Sequence, residues 1–231
     1  MKDSRYLEFK ATLEKRLFGL SSVNGFDKLK SRLNGVSNWE EFQAILAQID
    51  ITLWFKDKGI IKEIEPQLPH RLGFADILIS FLNQDIFCEV NSLESFVKVK
   101  EPKKRNTDNE KTIIKRKNLT WLTELDIEHE IKQDRIIRNL REKTNKQLPL
   151  NYPGILALET GRAAVFSLEV KEIAKKLFKN RPQVILIMLW SLERGTGIGE
   201  PPFCYINRNS HYQNTGQEFL RYLKQDNNII S

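Results

Sequence analysis

Two apolar runs separated by a short polar stretch, between Phe74 and Ser92, constrain the fold more than any other part of the sequence. The first run ends at Phe81, and Leu-Asn-Gln-Asp at positions 82–85 lies between it and the second. Apolar runs of this length, bounded by turn-forming residues, are typical of neighbouring antiparallel strands. The segment therefore predicts a buried β-hairpin, and with it a fold that contains a sheet.

Two acidic residues, Asp76 and Glu89, lie in or beside these apolar runs. A buried carboxylate is costly unless it has a partner. With Asn83 and Gln84 as the central turn residues, Asp76 pairs with Asn91. Side chains alternate with a period of two, so this register predicts Asp76, Glu89 and Asn91 on one face, with the carboxylates in a diagonal relation. The alternative is that Asp76 caps a strand end and Glu89 meets solvent or an arginine.

Two carboxylates that meet at a strand end, with a backbone carbonyl nearby, offer the hard oxygen ligands that Mg²⁺ prefers. Asp76 and Glu89 are therefore candidate ligands of Mg²⁺, with Mn²⁺ as a substitute. Such an ion activates water and stabilises the charge that develops on a phosphoryl group during hydrolysis.

The remaining apolar patterns switch between helical and strand periodicity. A capping-box pattern, Ser37 followed by Glu40, predicts a helix that ends at Gly59. Further strands are predicted at 60–66, 154–159, 184–192 and 203–206, and further helices at 128–147, 168–178 and 217–224. This order predicts an α/β domain over residues 37–231, with a mixed central β-sheet flanked by helices. Residues 1–36 carry a helical pattern broken by glycines, which predicts an N-terminal helical appendage.

The chain has a formal net charge of +7, which favours a polyanionic partner. Basic residues crowd a polar stretch that predicts a flap at about 98–117, namely Lys98, Lys100, Lys103, Lys104, Arg105, Lys111, Lys115, Arg116 and Lys117. We expect this flap to bind nucleic acid, DNA in the first place. The alternatives are a solvated insertion with no binding role, and a protein-interaction surface for an acidic partner.

Composition excludes several other classes. Hydrophobic residues make up 40% of the 231 residues, enough to build a core. No run of 18 or more apolar residues occurs, and the first ten residues are charged, so we expect a soluble cytoplasmic protein and no membrane partner. Cys88 and Cys204 lie in apolar stretches without metal-ligand spacing, and are expected to be buried reduced thiols.

The hairpin resembles the active-site hairpin of the PD-(D/E)xK nuclease superfamily, whose signature is an acid on one strand and an acid-x-lysine on the next. Here the signature reads Ala75-Asp76 and then Glu89-Val90-Asn91. The resemblance covers residues 37–159, including the helix before the hairpin and the helix after it. It implies a restriction endonuclease-like core and Mg²⁺-dependent hydrolysis of phosphodiester bonds in DNA, with Asp76 and Glu89 as metal ligands. A homodimer is left open.

Two catalytic positions depart from the family pattern. Asn91 stands where the lysine is expected and supplies no positive charge. Gln48 stands on the preceding helix where many relatives have a glutamate, and offers a metal only a neutral oxygen.

A cation from elsewhere is therefore required for catalysis. The stripe Ile136, Leu140, Lys143 and Gln147 follows helical spacing, so Lys143 is the best substitute, assisted by Gln147, with Lys98 and Lys100 as alternatives. Lys143 also fits a cation that simply extends to solvent beside the helix end. Two functions follow: a metal-dependent nuclease, or a nucleic-acid-binding module that keeps the nuclease fold without hydrolysis.

Overall fold

The computed structural model describes residues 4–69, 73–92, 137–159, 167–190 and 203–225. Within these ranges the helices are α1 (Ser4–Leu20), α2 (Phe26–Asn34), α3 (Trp39–Asp57), α4 (described over 137–147), α5 (Ser167–Phe178) and α6 (Gln213–Gln225). The strands are β1 (Ile61–Ile64), β2 (Ile77–Phe81), β3 (Gln84–Ser92), β4 (Gly154–Glu159), β5 (Val184–Trp190) and β6 (Phe203–Ile206). The described helices include none that is long and apolar enough to cross a membrane.

The described strands form one six-stranded sheet in the order β1-β2-β3-β4-β5-β6. The first three pair antiparallel, β3 to β5 pair parallel, and β6 closes the edge antiparallel to β5. The prediction of an α/β fold with a mixed central sheet flanked by helices is confirmed. Every strand predicted downstream of the hairpin is present. β4 and β5 are short apolar runs that the sheet buries on both faces, whereas the edge strand β6 is only partly buried.

Helices cover both faces of the sheet. On one face Ile79, Cys88 and Ala157 belong to the core that contains α3 and α6. On the other face Phe87 and Leu156 belong to a second core, built with α4 and α5. Side chains alternate along a strand, so the residues of β3 that follow Phe87 at intervals of two point toward the α4 side. Cys88 and Cys204 are buried, as expected.

The N-terminal helices pack on α3 and β1 through a third apolar cluster, which includes Leu20, Leu29, Phe42 and Ile64. Gly25, directly before α2, has a φ of 82°, and a Cβ there would lie 1.9 Å from the carbonyl oxygen of Ile64. Glycine therefore lets the backbone approach β1 closely. In consequence α2 lies against β1, the strand that pairs with β2 of the hairpin.

The start of α3 differs from the predicted capping box by one residue. Asn38 is the N-cap, and its side-chain oxygen accepts a hydrogen bond from the backbone N–H of Glu41 at 2.8 Å. An asparagine caps as well as a serine, so the sequence pattern alone did not separate Ser37 from Asn38. The helix ends as predicted before Gly59, which has a φ of 69°.

Candidate functional site

The hairpin turns at Leu82 and Asn83, so the prediction of a turn at Asn83 and Gln84 is wrong. Both central residues have positive φ, 49° and 60°, as a two-residue type I′ turn requires. Gln84 instead pairs with Phe81 and extends the ladder. The two registers differ by two residues and bury the same face, so hydrophobic alternation does not distinguish them.

The observed register brings the two acidic residues closer than predicted. Ile77 pairs with Cys88, and continuing the ladder by one residue places Asp76 directly opposite Glu89. The predicted pairing of Asp76 with Asn91 is therefore wrong by two residues, although all three side chains still share one face. Directly opposed residues approach more closely than diagonal ones.

Asp76 is held on both its backbone and its side chain. Its Oδ2 accepts a hydrogen bond from the backbone N–H of Val90 at 2.8 Å. Its backbone carbonyl accepts two more, from the N–H of Glu65 at 2.9 Å and from Nε2 of Gln48 at 3.1 Å. A residue directly after β1 and residues of α3 and β3 thus fix the position of this carboxylate just before β2.

Glu89 is the most deeply buried acid of the site, with 1% of its surface exposed. Burial raises its pKa well above the ordinary value, the charge of Asp76 and a hydrogen bond with that carboxyl raise it further, and Lys143 and Arg32 act against this. Its Oε2 is buried without a hydrogen-bond partner in the described part of the chain. The two carboxyl groups therefore meet, and one oxygen is left for a further ligand.

Asn91 lies two residues beyond Glu89 on the same face and is also 1% exposed. Within the described residues, neither Oδ1 nor Nδ2 of its side chain has a hydrogen-bond partner. A buried primary amide without partners is unusual and costs stability. Glu89 and Asn91 thus place three buried polar atoms without partners among the described residues on one face of β3.

Arg32, on the last turn of α2, reaches the site although the sequence prediction did not include it. Its Nη1 contacts the carboxylate of Glu65, donates a hydrogen bond to Oε1 of Gln48 at 3.1 Å, and lies 4.0 Å from Oδ1 of Asp76. A basic residue near a helix end is ordinary, so only the packing of α2 on β1 reveals the contact. The one sequence signal for this contact was Glu65, an acidic residue directly after β1.

These contacts change the interpretation of Gln48. Its buried amide bridges two partners, with the oxygen facing Arg32 and the nitrogen facing the backbone of Asp76. The oxygen that a metal would need already accepts one hydrogen bond, from Arg32. Gln48 ties α3 to the hairpin in this structure.

Lys143 and Gln147 of α4 are both half-buried, whereas Leu140 and Thr144 are fully buried. The two polar residues thus lie at the border of the face that packs on the sheet. Ile136, the first member of the predicted stripe, lies outside the described residues. Lys143 is close enough to Glu89 for its charge to lower the pKa of that carboxyl.

The predicted flap at about 98–117 lies wholly outside the described residues, as do the candidate cations on it. These are Lys98, Lys100, Lys103, Lys104, Arg105, Lys115, Arg116 and Lys117. The described part of β3 ends at Ser92, a few residues before this segment.

The site has the donor set for a hard cation bound by few protein ligands. In the described ranges no group of three or more His, Cys, Asp or Glu side chains could hold a metal ion. Mg²⁺ is commonly bound by one or two carboxylates, and water and substrate phosphates supply the remaining ligands. Asp76 and Glu89 fit this arrangement.

The fold and the site together define an α/β protein with a mixed sheet and a carboxylate pair, one member of it buried, at the open end of a hairpin. No protein-family model matches the sequence, and no curated protein matches it. Among solved structures, SfsA of Pyrococcus furiosus in complex with Ca²⁺ matches with 11% identity and a TM-score of 0.28. The match covers 69% of this chain and 62% of that chain, less than two thirds of its length. A likeness at this level carries no argument about function, and the resemblance to PD-(D/E)xK nucleases is not confirmed by it.

Proposed function

We propose that this protein is a metal-dependent nuclease that hydrolyses phosphodiester bonds in DNA, with Asp76 and Glu89 as ligands of Mg²⁺ or Mn²⁺. One observation carries the proposal. The buried carboxyl group of Glu89 meets the half-buried carboxyl group of Asp76, and Oε2 of Glu89 has no partner among the described residues. An acid pair with an unused oxygen suits a cation, because a cation neutralises the like charges and is coordinated by that oxygen.

The protein groups around the pair have separate tasks in this proposal. A bound divalent cation supplies an activated water and neutralises charge on the phosphate. The backbone N–H of Val90 keeps the Asp76 carboxylate turned toward Glu89. Lys143, whose charge acts on Glu89, would offset negative charge that develops in the transition state. Asn91 offers an amide that can orient a water molecule or a phosphate oxygen.

Incubation with supercoiled, linear and single-stranded DNA in Mg²⁺ or Mn²⁺ tests the proposal. Glu89→Gln should abolish cleavage, because an amide cannot replace the anionic ligand. Asp85→Asn is the matched control. Asp85 lies on β3 four residues before Glu89, and its Oδ1 lies 2.7 Å from Nζ of Lys62, with which it forms an ion pair. Wild-type protein that cleaves none of these DNAs with either metal would refute the nuclease proposal.

The basic segment is proposed as the DNA-binding flap. Replacing Lys103, Lys104 and Arg105 together by glutamine should weaken binding to all DNA sequences alike and reduce the salt dependence of binding, as loss of phosphate contacts does. An unchanged affinity and salt slope would remove the segment from the binding surface.

One observation favours a second function, a nucleic-acid-binding module that does not hydrolyse its ligand. Asn91 occupies the position of the signature lysine and carries no charge. If the wild type binds DNA without cutting it and Asn91→Lys creates Mg²⁺-dependent cleavage, the chain is a disabled nuclease. If the wild type cleaves and Lys143→Ala abolishes cleavage with DNA affinity nearly intact, Lys143 supplies the missing charge.

A further inference from the structure

We propose that Arg32 is a phosphate-binding catalytic residue of this site, in addition to the groups on the hairpin and α4. The inference rests on the proposed function and specifies how the site holds its substrate. In this arrangement the N-terminal helices contribute directly to the site, because α2 carries the guanidinium group that contacts the phosphodiester.

The placement of Arg32 supports this role. Its Nη1 lies 4.0 Å from Oδ1 of Asp76, on the carboxylate that is proposed to hold the metal. If Asp76 and Glu89 hold a metal, a phosphate oxygen bound to that metal would lie near the same guanidinium. Arg32 also acts electrostatically on Glu89 from this position.

The guanidinium group is fixed on one edge and open on the other. All of its hydrogen bonds and ion pairs with described residues are made through Nη1, to Glu65, Gln48 and Asp76. The side chain is nevertheless 45% exposed. Guanidinium carries five N–H donors in a planar fork that matches the geometry of a phosphate. An arginine oriented by one nitrogen, with other donors toward solvent, is prepared to bind an anion that arrives from outside.

The surroundings keep Arg32 in this position. Glu65 is buried and adopts a φ of 51°, a left-handed conformation that is uncommon for glutamate. Lys28, one turn earlier on α2, donates a hydrogen bond to the carbonyl of Glu65 at 2.9 Å. Gln48 fixes the same nitrogen of Arg32 from α3. This preorganisation limits the conformational entropy that substrate binding would cost.

The test uses the full chain with Arg32→Ala and Arg32→Lys, and Lys30→Gln as the matched control. Lys30 is an exposed cation on the same helix, two residues away. Cleavage of supercoiled DNA in Mg²⁺ gives kcat and KM, and thermal unfolding reports the fold. We expect Arg32→Ala to lower kcat by about 10²-fold. Lys30→Gln should stay within about twofold, as expected for one exposed cation away from the reacting phosphate.

Chemical rescue separates substrate contact from a structural role. Guanidinium ion at a concentration far below the denaturing range should restore part of the rate of Arg32→Ala, whereas ethylammonium should restore less because it lacks the planar fork. A loss of rate that guanidinium does not rescue, accompanied by a lower unfolding temperature, would overturn the proposal. Wild-type kcat in Arg32→Ala would overturn it as well. If Arg32→Ala does not fold, the kcat of Arg32→Lys decides instead, since lysine keeps the charge without the planar fork. A wild-type kcat in Arg32→Lys would then overturn the proposal.

A wild type that does not cleave DNA would refute the nuclease function without settling the role of Arg32. The affinities of the wild type, Arg32→Ala and Lys30→Gln for a short DNA duplex in Ca²⁺ then decide whether Arg32 contacts a phosphate. A tenfold or greater loss in Arg32→Ala, with no loss in Lys30→Gln, would retain the phosphate contact. Equal affinities in the three proteins would overturn it.

Discussion

The backbone N–H of Val90 donates a hydrogen bond to Oδ2 of Asp76 at 2.8 Å, so the strand that carries Glu89 also orients the carboxylate opposite it. The two acids are thus brought together by one hairpin and its ladder of backbone hydrogen bonds. A site built on paired strands is held more rigidly than one built on loops. The carboxyl pair is therefore expected to persist in the absence of metal.

Metal binding should depend on pH, because the raised pKa of Glu89 leaves a proton on the pair when no metal is bound. A cation must displace that proton, so its affinity rises as pH rises through the raised pKa. At a Mg²⁺ concentration of about 100 times Kd, binding stabilises the fold by about 2.7 kcal/mol. Thermal unfolding with and without Mg²⁺ across a pH series should show that the stabilisation of the fold by Mg²⁺ increases with pH. Glu89→Gln should show none, and Asp85→Asn should behave as the wild type.

Much of the fold follows from the sequence, whereas the site follows only in part. Most of the predicted strands are short apolar runs between turn residues, and local periodicity is sufficient to identify such strands. The shared face of Asp76, Glu89 and Asn91 also followed, because it depends only on alternation along the strands. The register did not follow, since a shift of two residues preserves the buried face.

The contact of Arg32 with Gln48 and Glu65 was beyond local reasoning for a different reason. Gln48 is 16 positions and Glu65 is 33 positions away from Arg32 in the sequence. The contact therefore depends on how α2 packs against β1 and α3. On α2 alone, Arg32 fits an ordinary exposed basic residue of a last helical turn. Tertiary packing, which periodicity does not encode, brings the three groups together.

Asn91 should limit stability in the ligand-free protein, because its buried amide has no hydrogen-bond partner among the described residues. Asn91→Leu removes the unsatisfied polar atoms at nearly constant volume, and should raise the free energy of unfolding by about 1 kcal/mol. Urea denaturation in the absence of metal measures this. A loss of stability would mean that the amide has a partner or a bound water that leucine cannot replace.

Gly25 should be essential for placing α2 beside β1. Alanine there would have to adopt a φ of 82°, and its Cβ would lie 1.9 Å from the carbonyl oxygen of Ile64. We expect Gly25→Ala to destabilise the protein by about 2 kcal/mol or more, since the backbone itself must move. Gly35→Ala is a suitable control, because the nearest atom to a Cβ at Gly35 is 3.5 Å away. Chemical denaturation of the two variants should separate them clearly.

A second buried acid lies on α3, away from the proposed metal pair. The pKa of Asp50 is raised from 3.8 to about 6 as the net result of three effects: burial raises it most, the charge of Arg16 lowers it, and the charge of Glu159 raises it. Nε of Arg16 lies 3.2 Å from Oδ1 of Asp50 and links α1 to α3. The ion pair only partly offsets the cost of removing the carboxylate from water.

Ionisation of Asp50 should therefore lower stability as pH rises from about 4 to about 6, the window between its unfolded and folded pKa values. In this window the folded state binds the extra proton, so the free energy of unfolding falls with rising pH. A difference of about two pH units at about 1.36 kcal/mol each amounts to about 3 kcal/mol. Urea denaturation of the wild type and Asp50→Asn over this range isolates the effect, because other titrating groups are common to both. The stability of the wild type relative to Asp50→Asn should decline with pH, and parallel curves would contradict the assignment.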